Sequence, residues 1–264
     1  MSMSFLRRLF SPRHPYQYFF LHIPKTAGTS FRHMLVRDVF PFKDDVLPNK
    51  KEFKKRQGRY YRLAELLELP PHRLQSCKLL SGHVPAVTRD LFASPPKMLL
   101  FLRDPVPRAI SNLQYAQRRW HTAWSLSDIL KNDILRTEYI TNRQTQMLSF
   151  RSLEEARIYD RKIIPDRSRL ELAKEVLNSS DFLGITEEFE RSIKLCEHTF
   201  NWKFTSGLVN DNQAPVPDED LKVLIEKIQA ENELDQELYE FGRDLFYRRL
   251  DDANLGSPQI NNSA

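Results

Sequence analysis

Apolar segments of strand length alternate along this chain with stretches of helical periodicity. The clearest strand-like segments lie at residues 16–23 and 97–102, and shorter ones lie at 78–83 and 181–185. We predict helices at 28–38, 105–120 and 187–200, and a long final helix at 218–250. Strands that alternate with helices form parallel sheets covered on both faces. The pattern therefore predicts an α/β fold with a central parallel sheet flanked by helices and extra C-terminal helices.

The composition narrows the possible partners and compartments. The 264 residues include 40 Lys or Arg and 35 Asp or Glu, a net charge of +5. This excess is mild and the charges are mixed, so we expect no nucleic-acid partner. Cys77 and Cys196 form neither a disulfide scaffold nor a zinc motif. We therefore expect a reducing, cytoplasmic location and no metal ion.

We predict a single domain over residues 1–264, in which residues 1–15 are a frayed extension and residues 251–264 are a flexible tail. No apolar run reaches the roughly 20 residues that span a bilayer, so we expect no transmembrane segment. Peripheral membrane contact is an alternative for the N-terminus. Its apolar side chains are Phe5, Leu6, Leu9 and Phe10.

The turn Pro-Lys-Thr-Ala-Gly-Thr-Ser at residues 24–30 has the composition of an anion cradle. Small residues let backbone N–H groups approach a ligand, and the N-terminus of the following helix favours negative charge. Lys25 adds a positive charge, but it precedes Gly28, whereas the Walker A lysine follows the second glycine. We predict a metal-free phosphate site. An ordinary capped turn with a surface lysine is the alternative.

A second candidate anion site begins at Arg103, directly after an apolar segment. Asp104 and Pro105 are typical of a helix start. In the helix that follows, the spacing i, i+3, i+7 places three side chains on one face. They are Arg108, Ser111 and Tyr115. An arginine near a hydroxyl suits a phosphate monoester, although a solvated, capped helix explains the same pattern.

Together the two motifs resemble those of the sulfotransferases that use 3′-phosphoadenosine 5′-phosphosulfate (PAPS). The spelling His-Ile-Pro-Lys-Thr-Ala-Gly-Thr-Ser at 22–30 is most similar to the branch of carbohydrate 2-O-sulfotransferases and their bacterial relatives. The similarity continues through 82–83, 142–148, 182–187 and 234–239. It implies a P-loop-like three-layer fold, PAPS as sulfuryl donor, and a hydroxyl of a carbohydrate or glycoconjugate as acceptor.

The resemblance also implies the residues that hold the donor. The 5′-phosphosulfate loop corresponds to Lys25, Thr26, Ala27, Gly28, Thr29 and Ser30. Arg103 and Ser111 correspond to the 3′-phosphate site, and Thr186 lies near the adenine. Lys25 is also a catalytic candidate, since its charge would stabilise the leaving phosphate.

His83 is the candidate catalytic base. Histidine titrates near neutral pH, and a Gly-His at this point supplies the base in the 2-O branch. That branch has another histidine where this chain has Ser81, so a second catalytic residue stays an open question. A structural role for His83 is the alternative. We expect His22 to be a core histidine with its hydrogen bonds satisfied.

Two other functions fit part of the sequence. A nucleotide-dependent kinase would need a Walker A loop and Mg²⁺ ligands, and a catalytically inactive nucleotide-binding protein could keep the same fold. The polar residues 142–144 either bind a ligand or form a polar helix face. The basic stretch 49–59 is expected to be exposed, and residues 118–124 form a basic, aromatic patch.

Overall fold

A parallel sheet forms the centre of the computed structural model, which describes residues 16–42, 45–120, 131–159, 163–205 and 221–256. The strands are β1 (Tyr18–Leu21), β2 (Val46–Leu47), β3 (Leu79–Gly82), β4 (Lys97–Leu102) and β5 (Phe182–Ile185). Their order across the sheet is β2-β3-β1-β4-β5, and every neighbouring pair is parallel. The predicted α/β sheet is confirmed.

Helices make up most of the rest of the described chain. They are α1 (Gly28–Met34), α2 (Lys50–Lys55), α3 (Leu63–Leu67), α4 (Pro71–Ser76), α5 (Pro105–Trp120), α6 (Asp133–Tyr139), α7 (Arg143–Leu148), α8 (Leu153–Tyr159), α9 (Arg167–Ser179), α10 (Phe189–Phe200), α11 (Leu221–Glu231) and α12 (Glu233–Asp252). A π-helical turn, Leu35–Val39, extends α1, and 3₁₀ turns cover Ala86–Leu91 and Thr186–Glu188. Within these ranges, no helix is long and apolar enough to cross a membrane.

The strand order fixes where a ligand can bind. After β1 the chain crosses to one side of the sheet, and after β4 it crosses to the other. Because parallel crossovers are right-handed, these two connections lie on opposite faces and leave a crevice between the carboxyl ends of β1 and β4. Both predicted anion motifs begin at these two strand ends. Parallel pairing of Leu21 with Gly82 also brings the end of β3 beside the end of β1.

Burial explains why the apolar segments of the sequence form the strands of the sheet. All four residues of β1, β3 and β5 are buried, as are five of the six in β4. Phenylalanine rings from the sheet pack on Phe31 of α1, with ring centroids 5.0 Å away at Phe20 and at Phe101. Strands buried on both faces read as continuous apolar runs, the pattern from which the sheet was predicted.

Several elements differ from their predictions. The final helix is two helices, because the side chain of buried Asn232 bonds the carbonyl of Ile228 at 2.7 Å and the N–H of Asn142 at 3.0 Å. A side chain that bonds backbone groups in this way competes with helix continuation. The edge strand β2 and the helix α4 were not predicted. The last helix reaches Asp252; residues 1–15 and 257–264, and most of the patch at 118–124, lie outside what is described.

Candidate active site

A cleft of about 660 Å³ opens at the carboxyl edge of the sheet. Its floor is the turn after β1, and its walls come from His83 just after β3, from α5 and from the segment between α2 and α3. The lining includes Lys25, Ala27, Gly28, Thr29, Ser30, Arg32, Phe53, Arg59, Tyr60, Arg62, His83, Asn112, Tyr115 and Arg143. Most of the predicted phosphate loop and the predicted base therefore face the same space.

The phosphate loop has an unusual backbone. Lys25 and Ala27 adopt positive φ angles of 68° and 59°, a left-handed conformation that costs a non-glycine residue about 1–3 kcal/mol. Thr26 does not line the cleft; it is buried, and its hydroxyl donates to the carbonyl of Ile23 at 2.9 Å, which braces the turn from below. The turn leads into α1 at Gly28, and Gly28, Thr29 and Ser30 line the cleft.

Three aromatic side chains meet beside this loop. The ring centroid of His83 lies 4.5 Å from that of His22 and 4.6 Å from that of Tyr60, and the His22 and Tyr60 rings are 5.2 Å apart. His22 is only 3% exposed. Burial first, then the charges of His83, Arg32 and Lys25, keep the pKa of His22 well below its usual value of 6.5. His22 is therefore neutral at physiological pH.

The expectation that His22 has satisfied hydrogen bonds was wrong. Its Nδ1 atom is buried and makes no hydrogen bond within the described part of the chain. The position where the 2-O branch carries another histidine, Ser81, is buried and accepts a hydrogen bond of 2.8 Å from Arg32 Nε. A second histidine does lie beside His83, but it is His22, from the neighbouring strand. The parallel register of β1 and β3 was the signal that sequence reasoning lacked.

Arg32 is a buried cation that the sequence reading missed. It donates to the carbonyl of Pro48 at 2.6 Å, and its guanidinium carbon lies 4.9 Å from the ring centroid of Phe53 and 5.7 Å from that of Tyr60. Burial lowers its pKa and raises the pKa of Tyr60 to about 12. The spacing of Arg32 one turn after Gly28 was visible, but its direction into the cleft was not.

The second motif joins the first through Arg103. This residue follows β4 and is mostly buried, and its guanidinium donates to the carbonyl of Lys25 at 3.1 Å. Its backbone N–H and carbonyl pair with the side chain of Gln144 at 3.0 and 2.8 Å. Thr186, at the end of β5, donates to the carbonyl of Leu102 at 3.0 Å. Arg103 and Thr186 thus lie at the β4 end, Ser111 lies within α5, and none of the three is in the lining of the cleft.

Only part of the predicted face of α5 reaches the cleft. Arg108 is fully buried and donates to the carbonyl of Ile140 at 2.8 Å, away from the cleft, and burial lowers its pKa to about 10. Ser111 is partly exposed, and Tyr115, 46% exposed, lines the cleft. The Lys25 ammonium lies 5.2 Å from the Tyr115 ring centroid. Seven residues carry the helix about 10.5 Å along its axis, so the same face of α5 is buried at Arg108 and open to the cleft at Tyr115.

The charge of the cleft is one-sided. Its described lining carries five Lys or Arg side chains and three histidines, and it includes no Asp or Glu. The cations are Lys25, Arg32, Arg59, Arg62 and Arg143. The basic stretch 49–59, expected to be merely exposed, forms α2 and then contributes Phe53, Gly58 and Arg59 to one wall.

Fold and site together define a class of protein: a three-layer α/β protein with a parallel sheet and the predicted phosphate loop after its central strand. No protein-family model matches the chain. It is 31% identical over 286 residues to human (Homo sapiens) heparan-sulfate 6-O-sulfotransferase 1, a match over 87% of this chain and 65% of that protein. It is 28% identical over 271 residues to heparan-sulfate 6-O-sulfotransferase 1-B of Danio rerio, over 87% of this chain and 66% of the relative.

The chain is thus similar to heparan-sulfate 6-O-sulfotransferases over most of its length, which agrees with the carbohydrate sulfotransferase resemblance of its motifs. A third relative, heparan-sulfate 6-O-sulfotransferase 2 of Mus musculus, is 29% identical over 276 residues, over 87% of this chain and 44% of that protein. The chain thus spans just under two thirds of the length of the first two relatives. All three carry 6-O in their names, so these comparisons support the carbohydrate kind without supporting the 2-O branch.

Proposed function

We propose that this protein is a PAPS-dependent sulfotransferase that transfers a sulfuryl group to a hydroxyl of an anionic carbohydrate. The observation that carries the proposal is the meeting of the phosphate loop and His83 in one cationic cleft, at the carboxyl ends of β1 and β3. The kinship with carbohydrate sulfotransferases supports the same reaction.

The donor is held by the two strand-end motifs. Backbone N–H groups at the start of α1 and the hydroxyls of Thr29 and Ser30 bind the 5′-phosphosulfate, since a helix start favours an anion. Arg103 and Ser111 bind the 3′-phosphate, and Thr186 borders the adenine. The bond between Arg103 and the Lys25 carbonyl supports this assignment, because it ties the two sites together.

The reaction is an in-line transfer that needs positioning and charge stabilisation more than covalent chemistry. The acceptor oxygen forms a bond to sulfur while the bond from sulfur to the bridging phosphosulfate oxygen breaks. His83 accepts the proton of the acceptor hydroxyl. The Lys25 ammonium stabilises the negative charge that develops on the leaving 5′-phosphate. Neutral His22, packed against His83, adds no competing positive charge beside the base.

The acceptor is an anionic carbohydrate. A cleft lined by five cations and no carboxylate favours a ligand with acidic groups. The rings of Phe53, Tyr60 and Tyr115 offer apolar faces against which sugar rings can pack. The relatives are named for heparan sulfate, which makes partly desulfated heparan sulfate the first acceptor to test.

The test combines nucleotide binding with transfer. The purified protein is titrated with 3′-phosphoadenosine 5′-phosphate and, separately, with ATP and Mg²⁺. Sulfuryl transfer from labelled PAPS to desulfated heparan sulfate is then measured for the wild type, His83→Ala and the control His72→Ala. His72 is an exposed histidine outside the cleft.

We expect selective binding of the 3′-phosphorylated nucleotide and measurable transfer. His83→Ala should lose roughly 10²–10⁴-fold in kcat, the usual contribution of a general base, while its nucleotide affinity stays near that of the wild type. His72→Ala should match the wild type. Binding of ATP with Mg²⁺ alone would favour a kinase. Nucleotide binding without transfer to any hydroxyl acceptor would favour an inactive nucleotide-binding protein.

A further inference from the structure

Gln144 makes an unusual contact with the strand-end arginine. It lies in the first turn of α7 and is fully buried. Its side-chain Nε2 donates to the carbonyl of Arg103 at 2.8 Å, and its Oε1 accepts from the N–H of Arg103 at 3.0 Å. One side-chain amide thus satisfies both backbone polar groups of a single residue.

This contact replaces a missing sheet neighbour. On one side β4 pairs with β1 only as far as Leu100, and on the other it pairs with β5 as far as Leu102. Arg103, the next residue, would leave a buried N–H and carbonyl without ladder partners, which is costly. The planar amide of Gln144 presents the same donor and acceptor as a peptide group. It therefore extends the sheet by one residue and holds the backbone of Arg103 in one orientation.

Gln144 is itself held by the last helix. Its backbone N–H donates to Asp235 Oδ2 at 3.0 Å, and the N–H of Thr145 donates to Asp235 Oδ1 at 2.7 Å. Asp235 is fully buried in the first turn of α12, and its own N–H donates to Asn142 Oδ1 at 2.9 Å. The starts of α7 and α12 thus cap each other, which leaves Gln144 little freedom.

The orientation of the Arg103 backbone decides where its guanidinium points. That side chain leaves the end of β4 towards the phosphate loop and reaches the carbonyl of Lys25. A rotation of the backbone at this residue would swing a side chain of this length by several ångströms. The hydrogen bonds of Gln144 oppose that rotation.

We propose that Gln144 is a positioning residue that aims Arg103 at the 3′-phosphate of the nucleotide and so sets the preference for a 3′-phosphorylated ligand. The proposal rests on the proposed function. Gln144 itself touches no ligand; it acts through Arg103. Loss of Gln144 should therefore weaken the recognition of one phosphate group rather than the binding of the whole nucleotide.

The experiment measures a ratio of affinities. Dissociation constants for 3′-phosphoadenosine 5′-phosphate and for adenosine 5′-phosphate are measured by calorimetric titration of the full chain. The variants are Gln144→Leu, which removes both hydrogen bonds, and Gln144→Glu, which keeps the acceptor for the Arg103 N–H. The matched control is Gln17→Leu. Gln17 also donates from its side chain to backbone carbonyls, those of Leu74 and Cys77 at 3.0 and 2.7 Å, but at the opposite end of the sheet.

We expect Gln144→Leu to reduce the wild-type affinity ratio at least tenfold, Gln144→Glu to reduce it less, and Gln17→Leu to leave it unchanged. In an Arg103→Ala background the substitution of Gln144 should change the ratio no further. A wild-type ratio in Gln144→Leu, or an equal loss of affinity for both nucleotides, would overturn the proposal. If Gln144→Leu does not fold, a wild-type ratio in Gln144→Glu overturns it. A wild-type protein without preference for the 3′-phosphate would instead overturn the proposed function, and this inference with it.

Discussion

Gly28 and His22 occupy one small space at the foot of the phosphate loop. A Cβ atom added to Gly28 would lie 2.0 Å from the His22 ring carbon Cδ2, far inside contact distance. The loop glycine is therefore required by a close approach and not by its backbone angles. It lets the buried imidazole pack against His83, so the phosphate loop and the candidate base are in contact through His22.

The buried imidazole predicts a pH dependence of stability. Folded His22 stays neutral because its pKa lies well below 6.5, whereas the unfolded chain binds a proton there as the pH falls through 6.5. The unfolded state then holds more protons, so this contribution to stability is complete above pH 6.5 and is lost below it. We expect His22 to contribute a decrease of at most about 1 kcal/mol in the free energy of unfolding between pH 6.5 and 5.5.

Urea unfolding at pH 7.5, 6.5 and 5.5 measures this effect. His22→Asn should show a shallower decrease than the wild type over that interval, while His72→Asn, a change at an exposed histidine, should keep the wild-type slope. Equal slopes for the wild type and His22→Asn would contradict the assignment of a neutral, buried His22.

The short helix α2 turns a basic segment into a wall of the cleft. Asn49 caps it: the Asn49 side chain accepts from the N–H groups of Lys51 and Glu52 at 3.1 and 3.0 Å. In turn, the Glu52 carboxylate accepts from the Asn49 N–H at 2.8 Å. Arg73 of α4 pairs with the same Glu52 at 2.6 Å. These contacts place Phe53 in the cleft lining.

Removal of this cap should lower the stability of the protein and also weaken acceptor binding. We expect Asn49→Ala to cost about 1 kcal/mol in the free energy of unfolding and to raise the KM for the carbohydrate acceptor, with the nucleotide affinity unchanged. The control is Asn132→Ala, which removes the cap of α6, where Asn132 accepts from the N–H of Leu135 at 3.1 Å outside the cleft. It should lose stability without a change in KM. An unchanged KM in Asn49→Ala would mean that α2 does not shape the acceptor site.

Elements with a single local signal were predicted well, and elements defined by distant contacts were not. The strands β1 and β4 are apolar runs bounded by proline or polar residues, so periodicity and length identified them. β2 has two residues and exists because it pairs with β3. The break between α11 and α12 depends on Asn142, which lies 90 residues away from Asn232 in the chain. Neither contact has a local sequence signal.

At the scale of the whole molecule, the sheet order converts separate motifs into one site. The sequence places Lys25 and Arg103 at strand ends, because each motif begins where an apolar run stops. It could not tell that β1 lies between β3 and β4, which brings His83 to one side of the phosphate loop and Arg103 to the other. The partnership of His22 with His83, and the inward direction of Arg108, depend on that arrangement and were missed for this reason.

The one-sided charge of the assembled cleft leads to a prediction about ionic strength. The chain carries a net charge of +5, and five of its Lys and Arg side chains gather in the described cleft lining, which includes no carboxylate. Salt shortens the range over which these cations attract an anion: the Debye length is about 8 Å at 0.15 M and about 3 Å at 1 M. We expect the KM for an anionic acceptor to rise several-fold between 0.05 and 0.3 M NaCl, with little change in kcat.

The matched substitutions Arg59→Ser and Lys222→Ser locate the source of this dependence. Arg59 lies in the cleft wall, whereas Lys222 is exposed on α11 outside it. Each substitution removes one positive charge from the molecule, so an effect of net charge alone would change the salt dependence of KM equally in the two variants. A local field predicts that only Arg59→Ser flattens the plot of log KM against log salt concentration. Equal flattening in both variants would assign the attraction to the molecule as a whole, and the cleft would then lose its role in selecting an acidic acceptor.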